Sequence, residues 1–238
     1  MLIKKHLFLL YLFCITYISV ANDNIPAFFE VSYKLYSNDT KIAQMERRFY
    51  RKEPKNYVFS SESKTTGLIS LFRKDHVIEI SNWKFLNSNI IPIHYSYKRT
   101  GGKKNRDVEI NFNWNNQQII NRVNDSVWHM KTQSGILDKL LYQLVIMIDL
   151  KSGNIPEKYM VADGGKIKEY VFEYIQDEVI ETPIGSFNTM KFSLYKKNKQ
   201  ETFLWCAYDF DFLPIKVIAK ENDGKLSKAI IESINGFK

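Results

Sequence analysis

Cysteine is scarce in this sequence, and its distribution argues against an internal disulfide. The 238 residues contain Cys14 and Cys206. Cys14 lies inside an N-terminal apolar run that we expect to be removed, which leaves Cys206 alone. Because Cys206 follows Trp205 in an apolar, strand-like segment, we predict a packed and unreactive thiol. A domain of this size buries roughly 70% of its unfolded surface, so it needs neither disulfides nor metal to fold.

The sequence patterns of common catalytic and metal-binding sites are also missing. Three histidines lie in aromatic or β-branched strand contexts without a second histidine at the spacing of a zinc-binding helix: His76, His94 and His129. There is no Gly-x-Ser-x-Gly elbow, and Gly164-Gly165 is typical of a strand connection, not of a phosphate-binding loop. We therefore expect a protein that is not an enzyme and that uses no cofactor or metal.

Positive charge is in surplus but is not concentrated. The formal net charge is +8, and the lysines are spread along strand-like segments, which is typical of a solvated surface. Attraction to anionic lipid headgroups or cell-wall polymers is the alternative interpretation. Without a basic recognition helix, nucleic acid is not an expected partner.

The N-terminus has the order of segments found in a secretory signal peptide. Lys4-Lys5 precedes the apolar run Leu7–Val20, which ends in the small-residue triplet Ser19-Val20-Ala21. A helix over that run would be about 21 Å long, short of the ~30 Å hydrocarbon core of a bilayer. We predict a signal peptide over residues 1–21 and a single β-rich periplasmic domain over residues 22–238, with no transmembrane segment after cleavage.

Alternation of apolar and polar residues runs through most of the remaining chain. Phe29, Val31, Tyr33 and Leu35 share one face of such a segment, which predicts a strand with one buried side. Short segments of this kind are joined by turn sequences such as Asp163-Gly164-Gly165. The pattern predicts a mainly β fold, with a curved antiparallel meander or an incomplete barrel.

The alternation fails once, between Gly135 and Leu150. This segment is apolar on nearly every face, too long for a typical strand and too short for a membrane span. We predict a helix over residues ~136–150, buried against the concave face of the sheet because it has no polar side.

Aromatic and apolar side chains are the only positive indication of a binding site. Curved sheets and barrels of this size can hold one apolar ligand, although aromatics in a sheet are ordinarily core. The candidate ligand-binding residues are Trp83, Tyr95, Trp114, Leu141, Leu144 and Trp205. The apolar segment Thr66–Phe72 interrupts the strand pattern and fits a cavity lid, a membrane-touching loop or a simple packed turn.

Acidic residues leave two narrower alternatives. Asp209 and Asp211 would project from one face of a strand and offer oxygens to a cation, but no third carboxylate is near, so we expect a solvated or hydrogen-bonded pair. A hydrolase would need an acid, a base and a nucleophile within hydrogen-bonding reach in a concave site. Glu79, His94 and Asp209 are the first residues to examine for it.

Several segments together resemble a known family. T-G-L-I-S-L-F begins at Thr66, E-T-P-I-G-S-F-N-T-M-K-F at Glu181, and W-C-A-Y-D-F-D-F-L-P-I-K-V at Trp205. This series resembles the bacterial domain of unknown function family 3108, which consists of exported envelope proteins of Gram-negative bacteria. The resemblance implies a periplasmic β-rich domain and supplies no activity, catalytic residue or ligand.

These observations favour a non-catalytic periplasmic protein that holds a lipid or another apolar molecule in a β-sheet cavity for envelope maintenance. The alternative is a structural or assembly partner of other envelope proteins. An envelope hydrolase is the least favoured hypothesis.

Overall fold

The computed structural model describes most of the chain. The described ranges are residues 24–86, 89–102, 104–196, 199–220 and 224–237. The predicted signal peptide lies outside the described residues and stays a prediction.

Fifteen strands, one α-helix and two short 3-10 helices form this part of the chain. The first eight strands are β1 (Phe29–Ser37), β2 (Thr40–Glu53), β3 (Asn56–Thr65), β4 (His76–Leu86), β5 (Asn89–Thr100), β6 (Arg106–Asn113), β7 (Gln118–Val123) and β8 (Ser126–Lys131). The others are β9 (Ile136–Asp138), β10 (Lys158–Asp163), β11 (Lys166–Thr182), β12 (Gly185–Lys196), β13 (Lys199–Ala207), β14 (Leu213–Lys220) and β15 (Leu226–Asn235). The helix α1 is Leu141–Lys151, and the 3-10 helices are Gly67–Leu71 and Tyr208–Phe210.

All strands belong to one open sheet, in the order β8-β7-β6-β5-β4-β3-β2-β1-β15-β14-β13-β12-β11-β10-β9. The predicted mainly β fold is confirmed, and it consists of two antiparallel meanders that meet where β1 pairs with β15. The exception to the antiparallel pattern is the pair β9 and β10, which is parallel. Helix α1 connects these two strands, as a parallel pair requires a crossover.

The helix begins later than the sequence pattern predicted. Ile136–Asp138 forms β9, and α1 starts at Leu141. The cause is Asp138, which is fully buried and whose Oδ1 accepts hydrogen bonds from the backbone N–H groups of Leu140 and Leu141 at 2.9 and 2.8 Å. A carboxylate that accepts from the first free donors of a helix fixes where the helix begins.

Helix α1 is buried inside the curve of the sheet, as predicted. Eight of its 11 residues are buried, which leaves it no polar face toward water. The ring of Tyr142 lies 5.1 Å from that of Tyr170 on β11, whereas Asp138, just before the helix, bonds to Ser81 on β4. Because β4 and β11 are far apart in the strand order, the sheet must curl around the helix to make both contacts.

The curled sheet brings its two ends together by packing and not by a strand ladder. The backbone N–H of Gly165, in the β10–β11 turn, donates to the Asn121 side chain on β7. The indole of Trp128 on β8 lies against the same glycine, 2.9 Å from the position that a Cβ would take. Sequence alternation did not predict β8 or the short β9, although Trp128 and Ile136 help to close the fold.

Cys206 is fully buried on β13. Burial raises the pKa of its thiol to about 12. A buried thiol with so high a pKa is unreactive, in agreement with the sequence prediction.

Within the described ranges, no helix combines the length and the apolar character that crossing a bilayer would require.

Candidate functional site

A cleft of about 1030 Å³ opens beside helix α1. It lies where the helix and β10 face the adjoining ends of β4 and β5, the turn after β6 and the segment that follows β8. Its apolar wall is formed by Phe85, Ile90, Ile91, Trp114, Leu137, Val145, Ile148 and Met160. This volume is at the upper end of the ~300–1,000 Å³ that small-molecule pockets occupy.

The apolar wall of the cleft is built by residues on fixed elements. Val145 and Ile148 are three positions apart and therefore share one face of α1. Across the cleft, the Trp114 indole donates a 2.7 Å hydrogen bond to the carbonyl of Pro92. Its ring stacks on that of Phe112, with the ring centroids 6.3 Å apart. These contacts hold the Trp114 ring in one orientation, so its apolar face is available without rearrangement.

Polar side chains also line the cleft, and they include Asn24, Asn89, Gln117, Thr132, Gln133, Ser134, Ser152 and Asn154. Asp149 on α1 accepts a hydrogen bond from the Tyr159 hydroxyl on β10. Burial raises the pKa of the Asp149 carboxyl, and the hydrogen bond from Tyr159 opposes that rise. Lys158 lies beside them, 3.1 Å from Glu169, at the exposed rim. The cleft therefore combines an apolar wall with polar side chains on several elements, and a carboxylate, a hydroxyl and an ammonium lie together at Asp149, Tyr159 and Lys158. A lining of both kinds is suited to an amphipathic molecule.

Of the predicted ligand-binding residues, Trp114 lines this cleft. Trp83 is fully buried and stacks on Tyr57 with ring centroids 4.6 Å apart. Leu141 and Leu144 are fully buried in the helix core. These three residues support the walls of the interior, and their contact with a ligand stays a prediction.

Tyr95 borders a separate small cavity of about 70 Å³. Its hydroxyl donates a 2.6 Å hydrogen bond to Glu79. Burial, followed by the nearby Glu79 charge, raises the pKa of this phenol above its ordinary value. A ligand contact by Tyr95 is likewise still a prediction.

Trp205 lies on the other face of β13 from Cys206, because successive strand residues point to opposite sides. Its indole donates a 2.5 Å hydrogen bond to Glu178, and the centroid of its ring lies 5.0 Å from the Lys191 ammonium and 4.6 Å from the Lys216 ammonium. The structure thus separates Trp205 from Trp114, and a role of Trp205 in ligand binding stays a prediction.

Sequence reasoning missed most of the cleft wall, including Phe85, Ile90, Ile91 and Met160. Each is an ordinary apolar strand residue, so nothing in the alternation separates it from core. The sequence feature that could have identified them as cleft residues was their position beside predicted turns, in a fold where a helix interrupts the strand alternation. A cleft forms there because the helix covers only part of the concave face.

The residues proposed for hydrolysis are engaged with different partners. Glu79 accepts from Tyr95, whereas His94 contacts Glu109 through Nε2. Asp209 is exposed in the 3-10 helix Tyr208–Phe210. The structure therefore gives these three residues no shared hydrogen bond within the described chain.

The segment with Asp209 and Asp211 is not a strand, contrary to the premise of the cation-site alternative. Asp211 has a left-handed backbone, with φ of 50°, and its carboxylate binds Lys151 at 3.1 Å and the backbone N–H of Ala27 at 2.9 Å. It is thus a hydrogen-bonded structural residue, as the other alternative held. Among the residues that the structure describes, no three His, Cys, Asp or Glu side chains form a metal-binding group.

Comparison with known proteins gives a family and a fold. A β-barrel-like protein of the domain of unknown function DUF1849 from Brucella abortus is similar in structure, with a TM-score of 0.58, 4% identity and coverage of 89% of this chain and 98% of that one. A protein with a YmcC-like fold from Bacteroides fragilis gives a TM-score of 0.33, 10% identity and coverage of 88% and 99%. No curated protein matches the sequence. Residues 29–230 match the family described as Protein of unknown function (DUF3108). Since that match spans most of the sequence, the chain belongs to the DUF3108 family, as the resemblance predicted.

Proposed function

We propose that this protein is a non-catalytic binding protein that holds an amphipathic molecule, such as a lipid, in the cleft beside α1. The observation that carries the proposal is a cleft of about 1030 Å³ that combines an apolar wall with polar side chains, among them Asp149 and Lys158. The apolar chain of such a molecule would be removed from water along Ile91, Met160 and Ile148. Each fully buried CH₂ would contribute about 0.8 kcal/mol to the free energy of binding. A polar headgroup would face Asp149 and Lys158.

We further propose that the protein works in the periplasm of a Gram-negative cell. Residues 1–21 have the order of a signal peptide, with basic residues, an apolar run and small residues, and this order supports export. Cys206, the single cysteine that remains after cleavage, does not indicate a compartment. Mass spectrometry of the N-terminus of the exported protein tests this: a first residue of Asn22 supports export with cleavage, and an intact leader contradicts it.

Ligand binding is tested with protein purified after export. Native mass spectrometry and lipid extraction should detect a bound amphipathic molecule, and a pyrene-labelled fatty acid should bind the delipidated protein. Ile91→Asp or Met160→Asp places a charge in the apolar wall and should weaken binding of the labelled fatty acid by about tenfold or more.

Ile93→Asp is the matched control, because Ile93 lies on the same strand, is 39% exposed and is not part of the cleft wall. Its affinity should equal that of the unmodified protein. Protein that emerges without bound lipid and does not bind the labelled fatty acid would exclude the proposal. Equal weakening in Ile91→Asp and Ile93→Asp would place binding elsewhere.

A second candidate function, as an assembly partner of envelope proteins, is supported by β8. This strand is at one end of the sheet order, so its outer edge has no strand neighbour within the described chain. It also exposes Val127, and Trp128 is 40% exposed although its indole packs against Gly165. Edges of this kind accept a strand from another protein. Cross-linking from position 127 in cells would capture such a partner, and a lack of any cross-linked protein would exclude this function.

A further inference from the structure

The loop between β3 and β4 exposes three large apolar side chains at one end of the sheet. Leu68, Leu71 and Phe72 are 80, 72 and 87% exposed. Soluble proteins seldom expose apolar side chains contiguously, and such patches commonly contact a membrane or another protein. This loop lies at the opposite end of β4 from Phe85, which is part of the cleft wall, so it is a separate surface.

The exposure of these side chains is built into the loop. The segment forms the 3-10 helix Gly67–Leu71, closed by hydrogen bonds from the N–H groups of Phe72 and Arg73 to the carbonyl of Ile69 at 3.0 and 2.9 Å. Ile69 turns inward and lines a cavity of about 440 Å³ with Ile42. One apolar side chain thus anchors the loop while its neighbours point into water.

The base of the loop is attached to β2 and packs against the β5–β6 turn. The N–H of Thr66 donates to the carbonyl of Ile42 at 3.1 Å, and the N–H of Thr65 donates to that of Asp75 at 3.0 Å. The β5–β6 turn packs so closely that a Cβ on Gly101 would lie 1.8 Å from the Lys74 carbonyl oxygen. These contacts hold the three apolar side chains at a fixed place on the surface.

Cationic side chains lie on this loop and on the elements that its base contacts, β2 and the β5–β6 turn. Lys41, Lys74 and Lys104 are exposed and have no acidic partner within the described part of the chain. Arg73 and Arg99 share one carboxylate, that of Asp75, at 2.6 and 2.8 Å. The surface around the loop therefore has a positive surplus, which complements a negatively charged surface.

We propose that this loop docks the protein on an anionic phospholipid membrane, with Leu68, Leu71 and Phe72 inserted at the headgroup boundary and the surrounding lysines on lipid phosphates. Apolar insertion combined with basic charge is the arrangement by which proteins bind membrane surfaces reversibly. A protein partner would have to offer an apolar pocket with an acidic rim. An anionic bilayer offers an apolar interior beneath negatively charged headgroups at every point of its surface. The docking site is independent of ligand binding in the cleft.

The test uses exported protein with a determined N-terminus and lipid vesicles. Flotation should show binding to vesicles of phosphatidylcholine with phosphatidylglycerol and weaker binding to phosphatidylcholine alone. The combined change Leu68→Ser, Leu71→Ser and Phe72→Ser should reduce partitioning at least about tenfold. The pair Lys41→Gln and Lys74→Gln should reduce it about fivefold for each charge, and only for vesicles with phosphatidylglycerol.

The control substitutions lie away from the loop. Val127→Ser with Val179→Ser removes exposed apolar side chains elsewhere, and Lys52→Gln with Lys55→Gln removes charges at the other end of β2. Both should bind vesicles as the unmodified protein does. The emission of a fluorescent nitrobenzoxadiazole label on the new thiol of Phe72→Cys should shift to shorter wavelength when vesicles are added. Cys206 is buried and will not take the label.

Unchanged vesicle binding after the triple serine substitution would overturn the proposal, as would an unshifted label during binding. If the unmodified protein does not float with vesicles but forms a dimer that the triple substitution disrupts, the loop contacts a second copy instead. Loss of vesicle binding with an unaltered affinity for the labelled fatty acid would support docking and separate it from the cleft.

Discussion

Ser81 on β4 donates a 2.5 Å hydrogen bond to the carboxylate of Asp138, 57 residues later in the sequence. Both side chains are fully buried. The other oxygen of Asp138 accepts from the first N–H groups of helix α1. Through this carboxylate, the middle of one meander positions the start of the helix that occupies the interior.

Replacing Ser81 should therefore destabilise the fold. Ser81→Ala leaves one oxygen of a buried carboxylate without its donor, which costs about 1–3 kcal/mol. Urea denaturation measures the loss in the free energy of unfolding. Ser186→Ala removes an exposed hydrogen bond to Glu181 and should change stability by less than about 0.5 kcal/mol. Equal effects of the two substitutions would show that the buried link does not hold the helix in place.

Stability should depend on pH through Asp138. Burial raises the pKa of its carboxyl from 3.8 to about 6, against hydrogen bonds from Ser81 and the helix N–H groups. The folded protein then binds this proton more tightly than the unfolded chain, so the contribution of Asp138 to stability falls as pH rises from about 4 to 6. In Asp138→Asn this dependence should disappear, because the amide stays neutral while its oxygen still accepts from the helix.

Urea denaturation across this pH range compares the two proteins. The stability of Asp138→Asn relative to the unmodified protein should increase with pH, by up to about 3 kcal/mol. Parallel stability curves for both proteins would contradict the assignment of this titration to Asp138.

The interior position of α1 makes its leucines sensitive to charge. Leu144→Asp or Leu141→Asp should unfold the domain, because a carboxylate would replace a fully buried apolar side chain. Leu144→Ala should reduce the free energy of unfolding by about 2–5 kcal/mol. Gln143→Ala, at a half-buried position of the same helix, is the control and should stay folded. An unaltered melting temperature in Leu144→Asp would exclude a buried helix.

The two glycines of the β10–β11 turn should differ on substitution. Both have a positive φ, 63° at Gly164 and 76° at Gly165, so alanine strains either position by about 1–2 kcal/mol. A Cβ at Gly165 would also meet the Trp128 ring at 2.9 Å, whereas at Gly164 its nearest neighbour is the Lys168 ammonium at 3.9 Å. Gly165→Ala should therefore lose about 1–3 kcal/mol more than Gly164→Ala in thermal or urea unfolding. Equal losses would mean that Trp128 does not close the sheet there.

The candidate site was less accessible to sequence reasoning than the fold. Trp114 was selected for its aromatic ring and does line the cleft, but Ile91 and Met160 carry no local mark that separates them from core. Trp83 and Trp205 belong to the same residue type as Trp114 yet lie in other surroundings. Residue type predicts that a side chain is apolar; the shape of the space around it depends on elements distant in the chain.

The sequence by itself determined most of the strands, their buried faces and the presence of an interior helix, because each follows from a periodicity within a few residues. Phe29, Val31 and Tyr33 are buried as their alternation predicted. Only the tertiary structure decided that β1 pairs with β15, that Asp138 ends a strand and starts the helix, and where the cleft opens. A strand with one apolar face fits many neighbours equally well, and a buried carboxylate is recognised only by a partner such as Ser81 from a remote part of the chain. Local pattern therefore predicts most of the elements, and long-range contacts select their arrangement and the start of the helix.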